Sequence, residues 1–184
     1  MRPLPRLAVI LTVLLAVGGC AQRETPAAEG VQTRTLHLGN SQEPSDLDPQ
    51  IITAYTEMNI ALALFEGLTA FNDSTGQPEP AAAERWEIAP DGLTYTFHIR
   101  PAARWSNGDP LTATDFAWSF RRVLTPALAS EYSYMLYPIR NARAFNEGKI
   151  ADFAQVGVRA ADEHTLVLTL EAPCPWLQIG RAHV

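Results

Sequence analysis

An alternating apolar pattern behind a tight turn is the feature that most constrains this chain. Large apolar residues occupy every second position after Asp91-Gly92, and they are Leu93, Tyr95, Phe97 and Ile99. Residues two apart share one face of a strand, so residues 93–99 are predicted to form a half-buried strand. Asp-Gly is a strong hairpin signal, which predicts that residues 86–88 pair with that strand.

A capped amphipathic helix is predicted to follow. Thr112, with Asp115 three residues later, has the spacing of an N-terminal cap. Apolar residues then recur at helical spacing, and they are Phe116, Phe120, Val123 and Leu124. The same spacing leaves Arg121 and Arg122 for solvent.

Shorter patterns complete the prediction of a mixed α/β chain. We expect a half-buried strand at 34–38, a helix at 57–66 capped by Gly67, a polar loop at 72–80, a short helix at 141–147 closed by Gly148, and a hairpin of 156–159 with 165–170. The resulting order, β-α-ββ-α-α-ββ, is typical of the α/β class.

The start of the chain has the anatomy of a secretory signal. An apolar run at 7–17 would rise about 16 Å as a helix, well short of a bilayer core of about 30 Å. Residues 17–20 (VGGC) resemble a bacterial lipobox, in which Cys20 would carry lipid; an ordinary signal peptide with an incidental cysteine is the alternative. Residues 1–19 are thus predicted to be a lipoprotein signal peptide, and residues 20–33 a flexible tether.

Composition excludes several classes of function. Lys and Arg total 14 against 20 Asp and Glu, a formal charge of −6, which argues against a nucleic-acid binder. Two cysteines cannot build a disulfide scaffold, and no Cys/His cluster predicts a zinc site. With Cys20 acylated, Cys174 would remain as a small buried apolar side chain.

No set of reactive groups points to an enzyme or a cofactor. The chain has no G-x-S-x-G elbow and no H-E-x-x-H, and its four histidines are scattered. Asp46 and Asp48 form a D-x-D beside a proline, but the other ligands of a calcium loop are missing, so a turn is expected. Glu84 and Glu87 are predicted to be exposed, without a catalytic role.

A long ordered series of motifs resembles the signature of family 5 extracellular solute-binding proteins. Its main stretches are 83–87 (AERWE), 91–100 (DGLTYTFHIR) and 105–116 (WSNGDPLTATDF). Four further stretches are similar to the oligopeptide-binding branch, and they are 43–49 (EPSDLDP), 64–68 (LFEGL), 125–132 (TPALASEY) and 157–162 (GVRAAD). The resemblance covers about residues 34–177.

The resemblance implies the N-terminal part of a periplasmic-binding-protein type II-like fold, a mixed sheet with helices, in truncated form. Family chains are longer, with two lobes that close over a peptide and an inserted accessory domain. Residues 34–67 would begin the first ligand-binding lobe, and 68–177 would form an incomplete accessory domain. The signature then has structural roles, with Trp105 as a packed aromatic, Gly108 as a turn residue, and Thr112 and Asp115 as helix caps.

Two places that touch ligand are also implied. Thr53, Ala54 and Tyr55 match an extended segment that lies along the bound peptide in relatives. An extended backbone can pair with any peptide backbone without side-chain selectivity. Tyr132 corresponds to a cleft tyrosine of the oligopeptide binders, whose phenol could pack on a side chain or donate a hydrogen bond. Ordinary loop residues are the alternative at both places.

The implied function is capture of oligopeptides in the cell envelope or periplasm and delivery to the permease subunits of an ABC importer. A monomeric, membrane-anchored lipoprotein would close around the peptide by a hinge motion. No catalytic residue, metal, cofactor or nucleic acid is implied. The alternatives are a family 5 binder of a nickel complex, haem or sugar, or an envelope lipoprotein enzyme or structural factor.

The last residues, 178–184 (QIGRAHV), are expected to be foreign to the protein. IGRAHV resembles one reading frame of a common sequencing adapter. Native sequence is therefore expected to end at Leu177, and Arg181 and His183 carry no functional argument. A natural C-terminus is the alternative.

Overall fold

The computed structural model of the chain describes residues 25–175 and residue 177. The chain divides into two compact units, Met1–Asn40 and Ser41–Val184. The predicted signal peptide, Cys20 and the suspect residues 178–184 lie outside the described residues, so they stay predictions.

The first unit contains helix α1 (Pro26–Thr33). Thr25 accepts a hydrogen bond from the Ala28 amide at 3.2 Å, and proline occupies the first helical position. These two start signals favour a helix even without an apolar stripe. The prediction of a flexible tether over residues 20–33 is therefore wrong for residues 26–33.

Residues 34–38 are irregular, and Leu36 and Leu38 are exposed. The prediction of a half-buried strand there is wrong. A strand needs a neighbouring strand to satisfy its backbone hydrogen-bonding groups, and an alternating pattern of polar and apolar residues does not by itself supply that neighbour.

The described part of the second unit holds two antiparallel sheets. A small hairpin pairs β1 (Thr69–Asn72) with β2 (Gln77–Pro80). The main sheet has the strand order β3-β4-β6-β5. Its members are β3 (Ala83–Ile88), β4 (Thr94–Ile99), β5 (Val158–Ala160) and β6 (Thr165–Thr169). Every described strand pairing is antiparallel, and the β3–β4 register shifts between Ala83 and Arg85.

The described part of this unit also contains three α-helices and three single 3₁₀ turns, of which the first helix precedes β1 and the others lie between β4 and β5. The helices are α2 (Tyr55–Leu64), α3 (Ala113–Leu124) and α4 (Ala142–Asn146). The 3₁₀ turns are Pro126–Leu128, Ser133–Leu136 and Phe153–Gln155. No helix in the described part of the chain is long and apolar enough to cross a membrane.

The predicted central hairpin is confirmed. Strands β3 and β4 pair around a turn in which Gly92 has a φ of +70°. Tyr95, Phe97 and Ile99 are buried on one face of β4, as their alternation predicts. The second predicted hairpin, β5 with β6, is also confirmed, and so is the short helix α4, after which Gly148 has a φ of +72°.

Helix α3 begins at the predicted cap and covers the sheet. Asp115 accepts from the Thr112 amide at 2.7 Å and from the Thr112 hydroxyl at 2.8 Å. Phe116, Phe120 and Leu124 are buried in one core with residues of β4, β5 and β6. The helix contacts β5 and β6 directly.

Three local predictions are wrong. The range 72–80, predicted to be a polar loop, contains the last residue of β1 and the whole of β2, and only residues 73–76 form the turn. Helix α2 ends at Leu64 with Phe65 extended, so Gly67 is not its cap. Trp105 is 37% exposed, because the turn that its motif forms lies at the surface.

We expect Phe116→Ala to lower the free energy of unfolding by about 3–5 kcal/mol, since it removes a fully buried ring and leaves a cavity. Trp118, in the same helix, is 60% exposed, so Trp118→Ala is the matched control, with an expected change within about 0.5 kcal/mol. Urea unfolding followed by far-UV circular dichroism measures both. Equal losses in the two variants would contradict the assigned core face.

Candidate functional site

The segment of residues 45–54 is tied down at both ends by one buried carboxylate. Glu57, in the first turn of α2, is 5% exposed. One carboxylate oxygen accepts from the Ser45 amide at 2.9 Å and from the Ser45 hydroxyl, and the other accepts from the Ala54 amide at 3.3 Å. A single side chain thus closes this segment into a loop that begins and ends beside the start of α2.

The same bonds keep Glu57 ionised. The hydrogen bond from the Ser45 hydroxyl is the main cause, and the Ser45 amide adds to it, so the pKa of Glu57 falls from its ordinary 4.5 to about 2. Burial acts in the opposite direction and is outweighed. The charge also lies at the N-terminal end of α2, where the helix dipole favours an anion.

The middle of the segment is held by Arg122 of α3. Its Nη1 donates to Asp48 Oδ1 at 3.0 Å and to Gln50 Oε1 at 2.7 Å, and its Nη2 donates to Asp48 Oδ2 at 2.5 Å. This fork-to-carboxylate pair lowers the pKa of Asp48 and raises the pKa of Arg122. The prediction that Arg122 faces solvent is wrong, whereas Arg121 is exposed as predicted.

Gln50 connects three parts of the unit. It is 8% exposed, and its amide nitrogen donates to Ser119 of α3 at 2.6 Å. The Ser130 hydroxyl donates to the Gln50 carbonyl at 2.6 Å. The segment is therefore joined both to α3 and to the loop that carries Tyr132.

The predicted ligand residues lie at the surface beside this network. Thr53 is exposed, and Ala54 has extended backbone at φ −82° and ψ 145°. Tyr55 is the first residue of α2 and is 79% exposed, so the extended stretch ends one residue earlier than predicted. Ile52, which directly precedes Thr53, is buried, so its side chain anchors the stretch.

Tyr132 lies in the loop between two 3₁₀ turns and is exposed. Its ring is tilted against that of Tyr134, with centroids 6.2 Å apart and an interplanar angle of 51°. Both rings present an apolar face and a polar tip to solvent. The Ser130 bond to Gln50 links this loop to the segment that carries Thr53.

The aspartates at 46 and 48 form turns, as predicted. Asp46 Oδ1 accepts from the Asp48 amide at 2.8 Å, and Asp48 Oδ1 accepts from the Gln50 amide at 3.0 Å. Within residues 25–175 and 177, no group of three or more His, Cys, Asp or Glu side chains could hold a metal ion. The exposed positions of Glu84 and Glu87 and the buried position of Cys174 match their predictions.

Sequence reasoning missed Glu57, Gln50 and Arg122. The signal for Glu57 is only half of a capping box, because Ala54 at the cap position has no side chain that could accept the reciprocal hydrogen bond. Arg122 gave none, since it is 74 residues away from Asp48 in sequence.

Residues 77–184 match the family described as bacterial extracellular solute-binding proteins, family 5 middle. The chain belongs to this family. Its members are binding proteins, which confirms that the chain is not an enzyme.

Individual relatives agree with this family. The chain is 46% identical over 145 residues to the probable deoxycholate-binding periplasmic protein YgiS of Escherichia coli (strain K12), covering 78% of this chain and 27% of that protein. It is 41% identical over 148 residues to the periplasmic oligopeptide-binding protein OppA of Haemophilus influenzae, covering 79% and 27%. The chain thus spans about a quarter of the length of these relatives.

Solved structures confirm the fold class. The crystal structure of Haemophilus influenzae OppA in complex with RPPGFSPFR is similar with a TM-score of 0.70 and 42% identity, covering 75% of this chain and 27% of that one. The murein tripeptide binding protein MppA of Escherichia coli gives a TM-score of 0.69 and 38% identity, covering 73% and 26%. The chain therefore has part of the type II periplasmic-binding-protein fold.

The Glu57 carboxylate predicts a defined acid sensitivity. Its folded pKa is lower than its unfolded pKa, so the stability that it contributes is fully present above about pH 4.5 and is lost as the pH falls toward 2. We expect Glu57→Gln to melt at a lower temperature at pH 7 and to lose less melting temperature between pH 4.5 and 2 than the unchanged chain. Circular dichroism melts at several pH values measure this.

The matched control is Glu131→Gln, at an exposed position outside this network. It is expected to keep the pH profile of the unchanged chain. A Glu57→Gln profile that coincides with that of the unchanged chain would contradict the role assigned to the carboxylate.

Proposed function

We propose that this chain is the N-terminal part of an oligopeptide-binding subunit of an ABC importer. The observation that carries the proposal is the stretch Thr53–Ala54, in which Thr53 is exposed and Ala54 has an extended backbone, while Glu57 and Arg122 hold the residues on either side. Ala54 already uses its amide for Glu57 and its carbonyl for Met58, so the backbone of the exposed Thr53 is the part that can bond to a peptide main chain, irrespective of the peptide's sequence. The OppA of Haemophilus influenzae, whose structure contains a bound peptide, supports this choice of ligand.

The proposed ligand contacts are Thr53, Ala54 and Tyr55 on one side and Tyr132 on the other. The first group offers extended backbone and an exposed phenol ring, and Tyr132 offers a second ring on which a side chain can pack. A second lobe, supplied by the rest of a longer protein, would close over the peptide through a hinge. Residues 34–67 would begin the first lobe, and 68–177 would belong to the accessory domain.

The proposed location is the cell envelope, with the protein anchored on a membrane through lipid on Cys20. The lipobox-like residues 17–20 and the short apolar run before them support this anchor. The proposed partners are a single oligopeptide and the permease subunits of the importer, and the protein is proposed to act as a monomer. An acidic charge of −6 is consistent with this assignment and with no role in nucleic-acid binding.

A bile acid is a second candidate ligand, because YgiS, which is 46% identical over the matched residues, is described as a probable deoxycholate-binding protein. The exposed Tyr132–Tyr134 pair would suit the flat apolar face of such a molecule. The two ligands make different demands on the site, since a peptide can bond to the Thr53 backbone and a steroid has no matching main chain.

Titration calorimetry on the full-length gene product decides between them. We expect heat of binding with a pool of tripeptides to pentapeptides, at micromolar or tighter dissociation constants, and little with deoxycholate. No heat from the peptide pool would contradict the peptide assignment, and deoxycholate binding without peptide binding would favour the second candidate.

The 184-residue chain itself is expected to show no measurable peptide affinity. One side of a cleft leaves most of a bound peptide in water, so the free energy gained cannot repay the loss of translational and rotational freedom. The same calorimetry on this chain is the measurement. Micromolar peptide binding by it would contradict the two-lobe mechanism.

A further inference from the structure

We propose that Arg122 is a positioning residue for the ligand-contacting backbone at Thr53–Ala54, acting through Asp48 and Gln50. The inference rests on the proposed function for its ligand, but its structural part stands on contacts within the described residues. Arg122 touches neither Thr53 nor Tyr132 in any hydrogen bond described above. Its hydrogen bonds to Asp48 and Gln50 determine how residues 48–50 lie on α3.

Residues 48–50 have little conformational freedom. Asp48 is bound through both carboxylate oxygens, and the Gln50 side chain is bound through both its oxygen and its nitrogen. The Gln50 donor is matched to Ser119, which precedes Arg122 by three positions and so lies on the same side of α3. One strip of the helix thus binds both Asp48 and Gln50 of the loop.

These bonds to α3 also fix the exposed backbone that follows Gln50. Only Ile51 and Ile52 separate Gln50 from Thr53, and Ile52 is buried. On the other side, Glu57 binds the Ala54 amide. The stretch Thr53–Ala54 is therefore held from both ends before any ligand arrives, with Ala54 in an extended conformation. Preorganisation of this kind raises affinity, because binding does not have to order the segment.

The same bonds to α3 set the position of the loop that carries Tyr132. The Ser130 hydroxyl bonds to the Gln50 carbonyl, so a shift of Gln50 moves the attachment point of that loop. Arg122 thereby acts on both proposed contact regions from one place. A lysine could pair with Asp48 but could not present two forked nitrogens to Asp48 and Gln50 together.

The chain offers a matched control in the neighbouring residue. Arg121 and Arg122 carry the same side chain in the same helix, but Arg121 is exposed and Arg122 makes the three bonds described above. Arg122→Met and Arg121→Met remove the same charge. Arg122→Lys separates charge from forked geometry, and Asp48→Asn weakens the pair from its other side if Arg122→Met does not fold.

The experiment combines hydrogen exchange with peptide titration on the full-length gene product. In Arg122→Met we expect the segment to be ordered in only about a tenth of the molecules, so that the amides of residues 50–54 lose nearly all their protection from exchange while the amides of β4 keep their rates. The peptide dissociation constant should then rise about tenfold, because it increases as the inverse of the ordered fraction. Arg122→Lys should fall in between, and Arg121→Met should stay within about twofold of the unchanged protein.

Several results would overturn the proposal. These are exchange at residues 50–54 in Arg122→Met that matches Arg121→Met, acceleration that is equal in β4 and so reports general destabilisation, or loss of protection at residues 50–54 with an unchanged dissociation constant. If the unchanged protein binds no peptide at all, the proposed function fails, while the exchange data still decide whether Arg122 positions the segment.

Discussion

The packing of α3 on the main sheet is the contact from which the second unit takes its form. Phe116, Phe120 and Leu124 fill the space above β4, β5 and β6, and this fixes the rotation of the helix about its axis. Once the rotation is fixed, Ser119 and Arg122 emerge together beside the apolar face. The loop of residues 45–54 is then bound by groups whose positions the core has already determined.

The loop shows how two carboxylates, one buried and one half-buried, can hold an irregular segment in place. Glu57 and Asp48 accept bonds from backbone amides, a hydroxyl and a guanidinium, so each charge is compensated where it lies. The cost of removing these groups from water is offset by several directed bonds per carboxylate. The segment therefore keeps a defined conformation although it is irregular, and side-chain hydrogen bonds rather than regular secondary structure hold it.

The parts of this fold that could be predicted are those whose information is local. The β3–β4 hairpin and the capped helix α3 follow from periodicities of two and 3.6 residues and from short turn and cap motifs. The Arg122–Asp48 pair could not be predicted, because its partners are 74 residues apart and each looks like an ordinary surface charge. The strand predicted at residues 34–38 does not form, because a strand-like pattern does not by itself supply a pairing partner. The proposed ligand positions Thr53 and Tyr132 came from resemblance to a family and from no pattern in the residues themselves.

The register shift in β3 has a consequence for the behaviour of the unit among other molecules. Strand β3 lies at one end of the described sheet, and the shift between Ala83 and Arg85 interrupts its regular row of backbone groups. Glu84, Arg85 and Glu87 place exposed charges along it. At the opposite end, β5 has only three residues. Neither margin offers a long, flat template for another chain, so the sheet is protected against edge-to-edge aggregation.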